Sequence, residues 1–309
     1  MTTHLRNLRG QIDPVLTNLA LGYKQAEFIC EKLFPVVFTD KEGVKVPKFG
    51  KGSFVEHATE RAVGAASNVI TLDTPHYLPI VLEEHDLMAG VDYREAAESL
   101  FDERAKATRR AVLGVQLRQE LEAAALLQAK QSYESGHYKD LSAATQWSDA
   151  NANPVKDVAD AKETVRAACG VKPNVLVLGA KVAHALSYHP VLQAMLGSGE
   201  RKLITHDLLK ILFEVDEVVI GNAVSAAAPN KQTNDVWGAF AALIVRPTVH
   251  STGNDEGEPA FGYTFRRKGM PVVDRFEQNG GKVEYARFTD IRKVAAVGGV
   301  CGFLFDKAV

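Results

Sequence analysis

DYREAAESLFDERAKATRRAVLGVQLRQELEAAALLQAKQ, residues Asp92 to Gln131, is the stretch on which the architecture of this 309-residue chain turns. Asp92 with Glu95 three residues on resembles a capping box with Asp in place of Ser or Thr, and no proline follows until Pro154. Apolar side chains recur at Ala97, Leu100, Phe101, Ala105, Ala111, Val112, Val115, Leu121, Ala125 and Leu126, with Arg and Glu filling the other faces. The spacing predicts one continuous helix over about 92–131, roughly 60 Å long at 1.5 Å per residue and several times the usual length. Gly114 in its middle costs about 1 kcal/mol relative to Ala, so it marks a close packing contact, the favoured reading, or a slight bend.

Upstream, Tyr77 to Leu82 is an apolar run that returns the chain to a core, followed by Glu83-Glu84-His85-Asp86 and a break at Gly90. From Val36 to about Asn68 short β-like runs are interrupted by Gly43, Pro47, Gly50 and Gly52, with Lys41, Lys45, Lys48 and Lys51 interleaved. This excursion has too few apolar residues for a core of its own, yet it is too patterned for a disordered linker. Residues 11–35 carry apolar positions at helical spacing and stop at Phe34-Pro35, as an arm with a short amphipathic helix.

Downstream, a polar stretch over 136–155 separates a second region. There Val155–Cys169, Ala180–Leu196 (broken at Pro190) and Thr205–Leu212 read as helices, and Asn174–Gly179 and Glu217–Gly221 as buried strands. Beyond Trp237 strands dominate: 238–245, 260–267, 271–276, 282–288, 291–296 and 302–305. The fold class is α+β, and two lobes suit a chain of this length.

The formal charge of −2 leaves no basic surplus to grip phosphates. Cys30, Cys169 and Cys301 are odd in number and widely spaced, which reads as reduced, buried thiols in a cytosolic setting without disulfides. The N-terminus lacks an apolar signal segment, and no stretch has the ~20 apolar residues of a membrane span. His184 and His189 are five apart, not the four of a helical zinc pair, and bring no carboxylate with them, so no metal site is expected. Glu83 to Asp86 could hold an acid and a base, but without a nucleophile or oxyanion feature a charged loop before a helix is the better reading. Gly50-Lys51-Gly52-Ser53 lacks P-loop spacing, and no nucleophile elbow, dinucleotide fingerprint or C-x-x-C is present. No catalytic residue and no cofactor is therefore expected.

The lysines of the excursion, with Glu56, Glu60 and Arg61, alternate in sign on a segment that does not fold alone. They suit pairing with complementary charge on a neighbouring subunit; the alternative is an exposed hairpin with idle lysines.

Taken together, arm, polar β excursion, long helix, α/β lobe and closing strands resemble the major capsid protein of tailed bacteriophages, with the HK97-like fold. Cys30-Glu-Lys-Leu-Phe-Pro35-Val leading to Val46-Pro-Lys-Phe-Gly50, and Pro259-Ala-Phe-Gly-Tyr263-Thr-Phe followed by Gly269-Met-Pro-Val-Val273, carry the likeness. The resemblance implies an N-terminal arm over 1–35 and an extended hairpin, the E-loop, over 36–76. It implies a P-domain over 77–149 and 282–309 with the spine helix, and an A-domain over 150–281. It further implies self-assembly into hexamers and pentamers of an icosahedral shell enclosing phage double-stranded DNA, without sequence-specific binding, in a virion assembled in the host cytoplasm.

Expected partners are the chain itself, a portal, a decoration protein in some relatives, and a separate scaffolding protein, unless an N-terminal scaffolding segment has already been removed. Relatives that cross-link a loop lysine to a neighbouring asparagine leave Lys41, Lys45, Lys48 or Lys51 as the donors by position; no such bond is expected here. Two other readings stand beside this one. An encapsulin-like nanocompartment shares the fold and differs in cargo, and a small-molecule enzyme would use the Glu83–Asp86 cluster.

Overall fold

The structure is a computed structural model and describes residues 11–12, 28–47, 54–57, 59–70, 77–195, 204–228, 230–247 and 259–309. In chain order the strands are β1 (Gln11–Ile12), β2 (Val36–Thr39), β3 (Gly43–Pro47), β4 (Tyr77–Val81), β5 (Glu83–Asp92), β6 (Tyr138–Asp140), β7 (Val175–Gly179) and β8 (Glu217–Gly221). They continue with β9 (Val224–Ala226), β10 (Thr233–Asp235), β11 (Ala241–Ile244), β12 (Gly262–Arg267), β13 (Val272–Gln278), β14 (Val283–Ala296) and β15 (Gly302–Asp306). The helices are α1 (Cys30–Leu33), α2 (Tyr93–Glu98), α3 (Glu103–Gln128), α4 (Pro154–Cys169), α5 (Ala180–Ser187), α6 (Pro190–Met195) and α7 (His206–Phe213).

The long helix forms, but not as one piece. Asp92 caps α2 by accepting the Arg94 N–H at 2.9 Å, and the helix lasts six residues. Ser99 Oγ then accepts the Phe101 N–H at 3.1 Å, and Asp102 opens a second helix by accepting the Ala105 N–H at 3.0 Å. Short polar side chains that bond the nearby backbone compete with helix continuation, which is why 92–131 divides here. The spine is thus the 26 residues of α3, about 39 Å. Leu100 and Phe101, expected on its apolar stripe, are instead 98% and 78% exposed.

Helix α3 buries different faces at its two ends. Ala111, Val112 and Val115 pack on Val273 and Phe288 of the larger sheet. Ala123, Ala124 and Leu127 enter the main core around the smaller sheet. Gly114 is the packing contact expected: a Cβ there would sit 2.4 Å from Leu87 Cδ1.

The larger sheet has the order β1-β13-β14-β12-β2, with β5 on the other side of β14. Residues 282–288 and 291–296, expected as two strands, are one: β14 pairs with β5 from Val283↔Asp92 to Arg292↔Glu83 without interruption. For the same reason Glu83–Asp86 is strand, not loop, and Gly90 continues β5 instead of breaking it. At Gly90 the strand passes beneath the Tyr285 ring, where a Cβ would come within 2.8 Å of Cε1.

The smaller sheet, β6-β15-β11-β7-β8, holds the fully buried strands β7 and β11 in the main core, which α4, α5 and α7 and the second half of α3 help to form. The helices and strands expected over 155–221 are all present, with shifts of a residue or two at their ends. Of the amphipathic arm the described helix is α1 alone; residues 13–27 lie outside the described residues. Strand β4 pairs antiparallel with β3 (Val44↔Ile80), so the 77–82 run closes a hairpin while Ile80 and Leu82 bury beside Phe265, Met270 and Ile291.

Candidate functional site

The charges singled out in the excursion stand on the outside. Lys41 lies in the turn between β2 and β3, Lys45 on β3 opposite Pro79, and Glu56, Glu60 and Arg61 on the strandless segment that follows; all five are exposed. Lys48 and Lys51 lie outside the described residues. Arg61 donates to the Ala65 carbonyl at 2.6 Å, and the Glu60 carbonyl accepts from Asn68 at 3.2 Å. Among the described residues none of these five side chains has an ion-pair partner. Neighbouring charges of the same region do pair within the chain: Glu42 with Arg267 at 2.5 Å and Asp40 with Lys268 at 3.8 Å.

Apolar surface accompanies these charges. Phe54, Val55, Val63, Val69 and Ile70 are more than half exposed, as are Leu100 and Phe101 at the α2–α3 junction. An open groove of about 670 Å³ runs between β4, β14 and the turn after α3, lined by Leu78, Ile80, Leu126, Val294, Ala296 and Val300 among others. Exposed apolar side chains gathered this way mark contact surfaces.

Inside, two buried polar groups tie the segments that carry those surfaces, and neither was legible as a site in the sequence. Glu120, fully buried on α3, accepts the N–H groups of Ile29 and Cys30 at 2.9 Å each and the Trp237 indole N–H at 2.7 Å. It therefore joins the arm, the spine and the loop that leads into β11 at one carboxyl. Burial pushes that carboxyl above its ordinary range despite the three donors. Arg292, fully buried on β14, reaches Glu122 at 2.7 Å, the Val115 carbonyl at 3.3 Å and Asp290 at 3.4 Å. Asp290 in turn holds Arg266 at 3.0 Å, which also reaches Glu31 of α1 at 3.3 Å.

The Glu83–Asp86 cluster is spent in this framework. Glu83 pairs with Lys293 on the adjacent strand, and His85 lies 4.0 Å from Glu122. Burial, and then the Arg292 charge, lower the His85 pKa. Burial alone would raise Glu122, but the Arg292 bond and charge hold it below its ordinary range. His189 bonds the Asp149 carbonyl at 3.0 Å, and His184 packs at a tilt against Tyr188, so the two histidines serve separate local contacts. Among the described residues no group of three or more His, Cys, Asp and Glu is placed to hold a metal ion, and no helix is long and apolar enough to cross a membrane.

Comparison with known proteins gives a consistent picture. No family model matches the chain. The major capsid protein of Burkholderia phage BcepMu is 43% identical over 298 residues, 96% of each chain. A phage-related protein from Bordetella bronchiseptica RB50 of known crystal structure is 31% identical with a TM-score of 0.77, over 97% of this chain and 98% of that one. The putative capsid protein of an Escherichia coli CFT073 prophage shares the fold at a TM-score of 0.56 and 12% identity, over 96% and 99% of the two chains.

Proposed function

The chain belongs to the phage major capsid proteins, and from that premise we propose that it builds an icosahedral head of HK97-like hexamers and pentamers around double-stranded DNA. The observation that carries this reading is a completed interior beneath an uncompleted exterior. Three clusters are closed, while the β3–β4 hairpin, the segment between its two strands and the α2–α3 junction present exposed charge and exposed apolar side chains. Such groups gain their partners from neighbouring copies.

In this reading residues 1–35 are the arm and 36–76 the E-loop. Residues 77–149 and 282–309 form the P-domain, and 150–281 the A-domain. Lys41, Lys45, Lys48, Lys51, Glu56, Glu60 and Arg61 face an adjacent subunit. The near-neutral chain suits a container whose wall does not grip its polymer. A separate scaffolding protein, a portal and a decoration protein are the further partners, and assembly takes place in the host cytoplasm. The activity of the chain is its contacts, and no catalysis is assigned to it. Kinship to a phage capsid protein across nearly its whole length favours a genome container over an encapsulin-like compartment.

Electron microscopy and light scattering of the purified chain, alone and with its scaffolding partner, test the proposal. Closed particles are expected. Persistent monomers under all assembly conditions would overturn it, and particles filled with an enzyme would transfer it to the nanocompartment class.

A further inference from the structure

Residues 77–92 run as β4 and then β5, and their backbone groups point to alternate sides residue by residue. The Tyr93 N–H donates to the Lys282 carbonyl at 3.0 Å, one step beyond the Val283↔Asp92 end of the β5–β14 ladder. Odd-numbered residues from Glu83 to Val91 therefore turn their N–H and C=O groups toward β14, while Glu84, Asp86, Met88 and Gly90 turn theirs outward. Along β4 that outer edge is filled. The Leu82 N–H donates to the Glu42 carbonyl at 2.8 Å, and β3 continues the pairing to Pro47↔Tyr77. On the other side of Glu42 the chain belongs to β2, which pairs with β12, and from Glu84 onward no described strand takes the place of β3.

The open stretch is accessible. Glu84, Asp86 and Gly90 are exposed, and Met88 and Leu87 are 54% and 47% exposed. Glu84, Asp86 and Met88 share the face away from α3, since Leu87 and His85 on the other face approach Gly114 and Glu122 of that helix. Among the described residues neither Glu84 nor Asp86 has an ion-pair partner. Arg287, opposite Met88 on β14, is already bound by Asp274 at 3.0 Å.

We propose that the outer edge of β5 from Glu84 to Gly90 is a strand-addition site for an extended segment of another protein, one with basic side chains at alternate positions. The unpaired backbone supplies the hydrogen bonds. The carboxylates choose the partner: basic side chains on their face meet Glu84 and Asp86, and apolar ones between them lie beside Leu87. A second β5 is disfavoured, because antiparallel pairing of the full stretch sets Asp86 diagonal to its own copy. The β3 edge of a second copy carries Lys41 and Lys45 at the right spacing, but Pro47 lacks an N–H and the Lys41 carbonyl already accepts the Thr39 hydroxyl at 3.1 Å. Gly43 and Lys45 remain, too short a run for this edge.

The site stands on the hydrogen bonding of the sheet and is independent of the shell, so the test uses the unassembled subunit. Hydrogen exchange resolved to single amides is measured for the subunit alone and with the capped peptide Thr-Lys-Val-Lys-Val-Lys-Thr, the control peptide having Glu for each Lys. In the free subunit the amides of Glu84, Asp86, Met88 and Gly90 should exchange fast, and those of His85, Leu87, Ala89 and Val91 slowly. The lysine peptide should slow the first set, less so at high salt, and the glutamate peptide should leave it fast. Met88→Pro removes an outward N–H and no bond to β14, so it should keep the slow set and weaken binding of the lysine peptide about tenfold.

A first set that is already slow in the free subunit, or that slows as subunit concentration rises, would overturn the proposal. So would a lysine peptide without effect, or equal protection by both peptides. If Met88→Pro does not fold, the wild-type exchange pattern and the two peptides decide.

Discussion

Replacing Glu120 by Ala strips acceptors from three buried donors at once: the N–H groups of Ile29 and Cys30 and the Trp237 indole N–H. A donor left unmatched in the interior costs about 1–3 kcal/mol, so the three together set an upper range of ~3–9 kcal/mol. Relief of the carboxyl's own desolvation and water entering the vacated space offset part of this, leaving an expected loss of about 3–5 kcal/mol, a large share of a typical domain's stability. Glu120→Gln keeps one acceptor oxygen and should lose roughly half as much. Urea unfolding of the unassembled subunit, followed by tryptophan fluorescence, measures both.

The pH dependence has a definite sign. Because burial raises the folded-state pKa of Glu120 above its unfolded value, its contribution is fully present below the unfolded carboxyl pKa. It is lost as pH rises through the folded one. Wild type should therefore lose stability relative to Glu120→Gln as pH rises across that interval. A loss below about 1 kcal/mol for Glu120→Ala would refute the reasoning, since it would mean that the three donors find other partners at almost no cost.

Four further outcomes are expected. Gly221→Ala would place a Cβ 2.2 Å from Cγ of the fully buried Trp237 and should cost about 3 kcal/mol or more. Gly114→Ala meets only the tip of the half-exposed Leu87 and gains helix propensity, so chemical denaturation should show a change within about 1 kcal/mol. Arg292→Met removes the buried guanidinium from Glu122 and one of the two guanidinium partners of Asp290, and should lower unfolding free energy by about 3–5 kcal/mol in the same assay. His85, its pKa lowered by burial and by Arg292, contributes stability that is present above its unfolded pKa and lost as pH falls through the lower folded one; His85→Asn should flatten the acid limb of a melting-temperature profile below pH 6.5, the ordinary histidine value.

Periodicity made the buried elements legible, because β7, β11 and α4 each meet a single environment along their length. It failed where local and distant partners compete. Leu100 and Phe101 fit the helical stripe, yet Ser99 and Asp102 offer the backbone closer bonds, and nothing in the apolar spacing registers that choice. Thr289-Asp290 looked like a break between strands; continuous pairing with β5 and the ion pair to Arg266 make it strand interior.

Of the surface site, the alternating charges at Lys41, Lys45, Glu56, Glu60 and Arg61 could be picked out because exposed polar segments carry their own signal. Glu120 could not. One carboxylate among several on α3 is distinguished only by Trp237 and α1, which lie 117 and about 90 residues away along the chain.

Helix α3 is built into one core at its first half and another at its second, and the consequence is mechanical. A rod fixed at both ends cannot serve as a hinge, so the two sheets must tilt as a single rigid plate. Wherever a closed surface has to bend, the bending is then concentrated in the joints between plates and in the exposed hairpin, not within the subunit. Amide exchange along α3 should accordingly show its two halves opening together; independent opening of either half would show that the plate flexes.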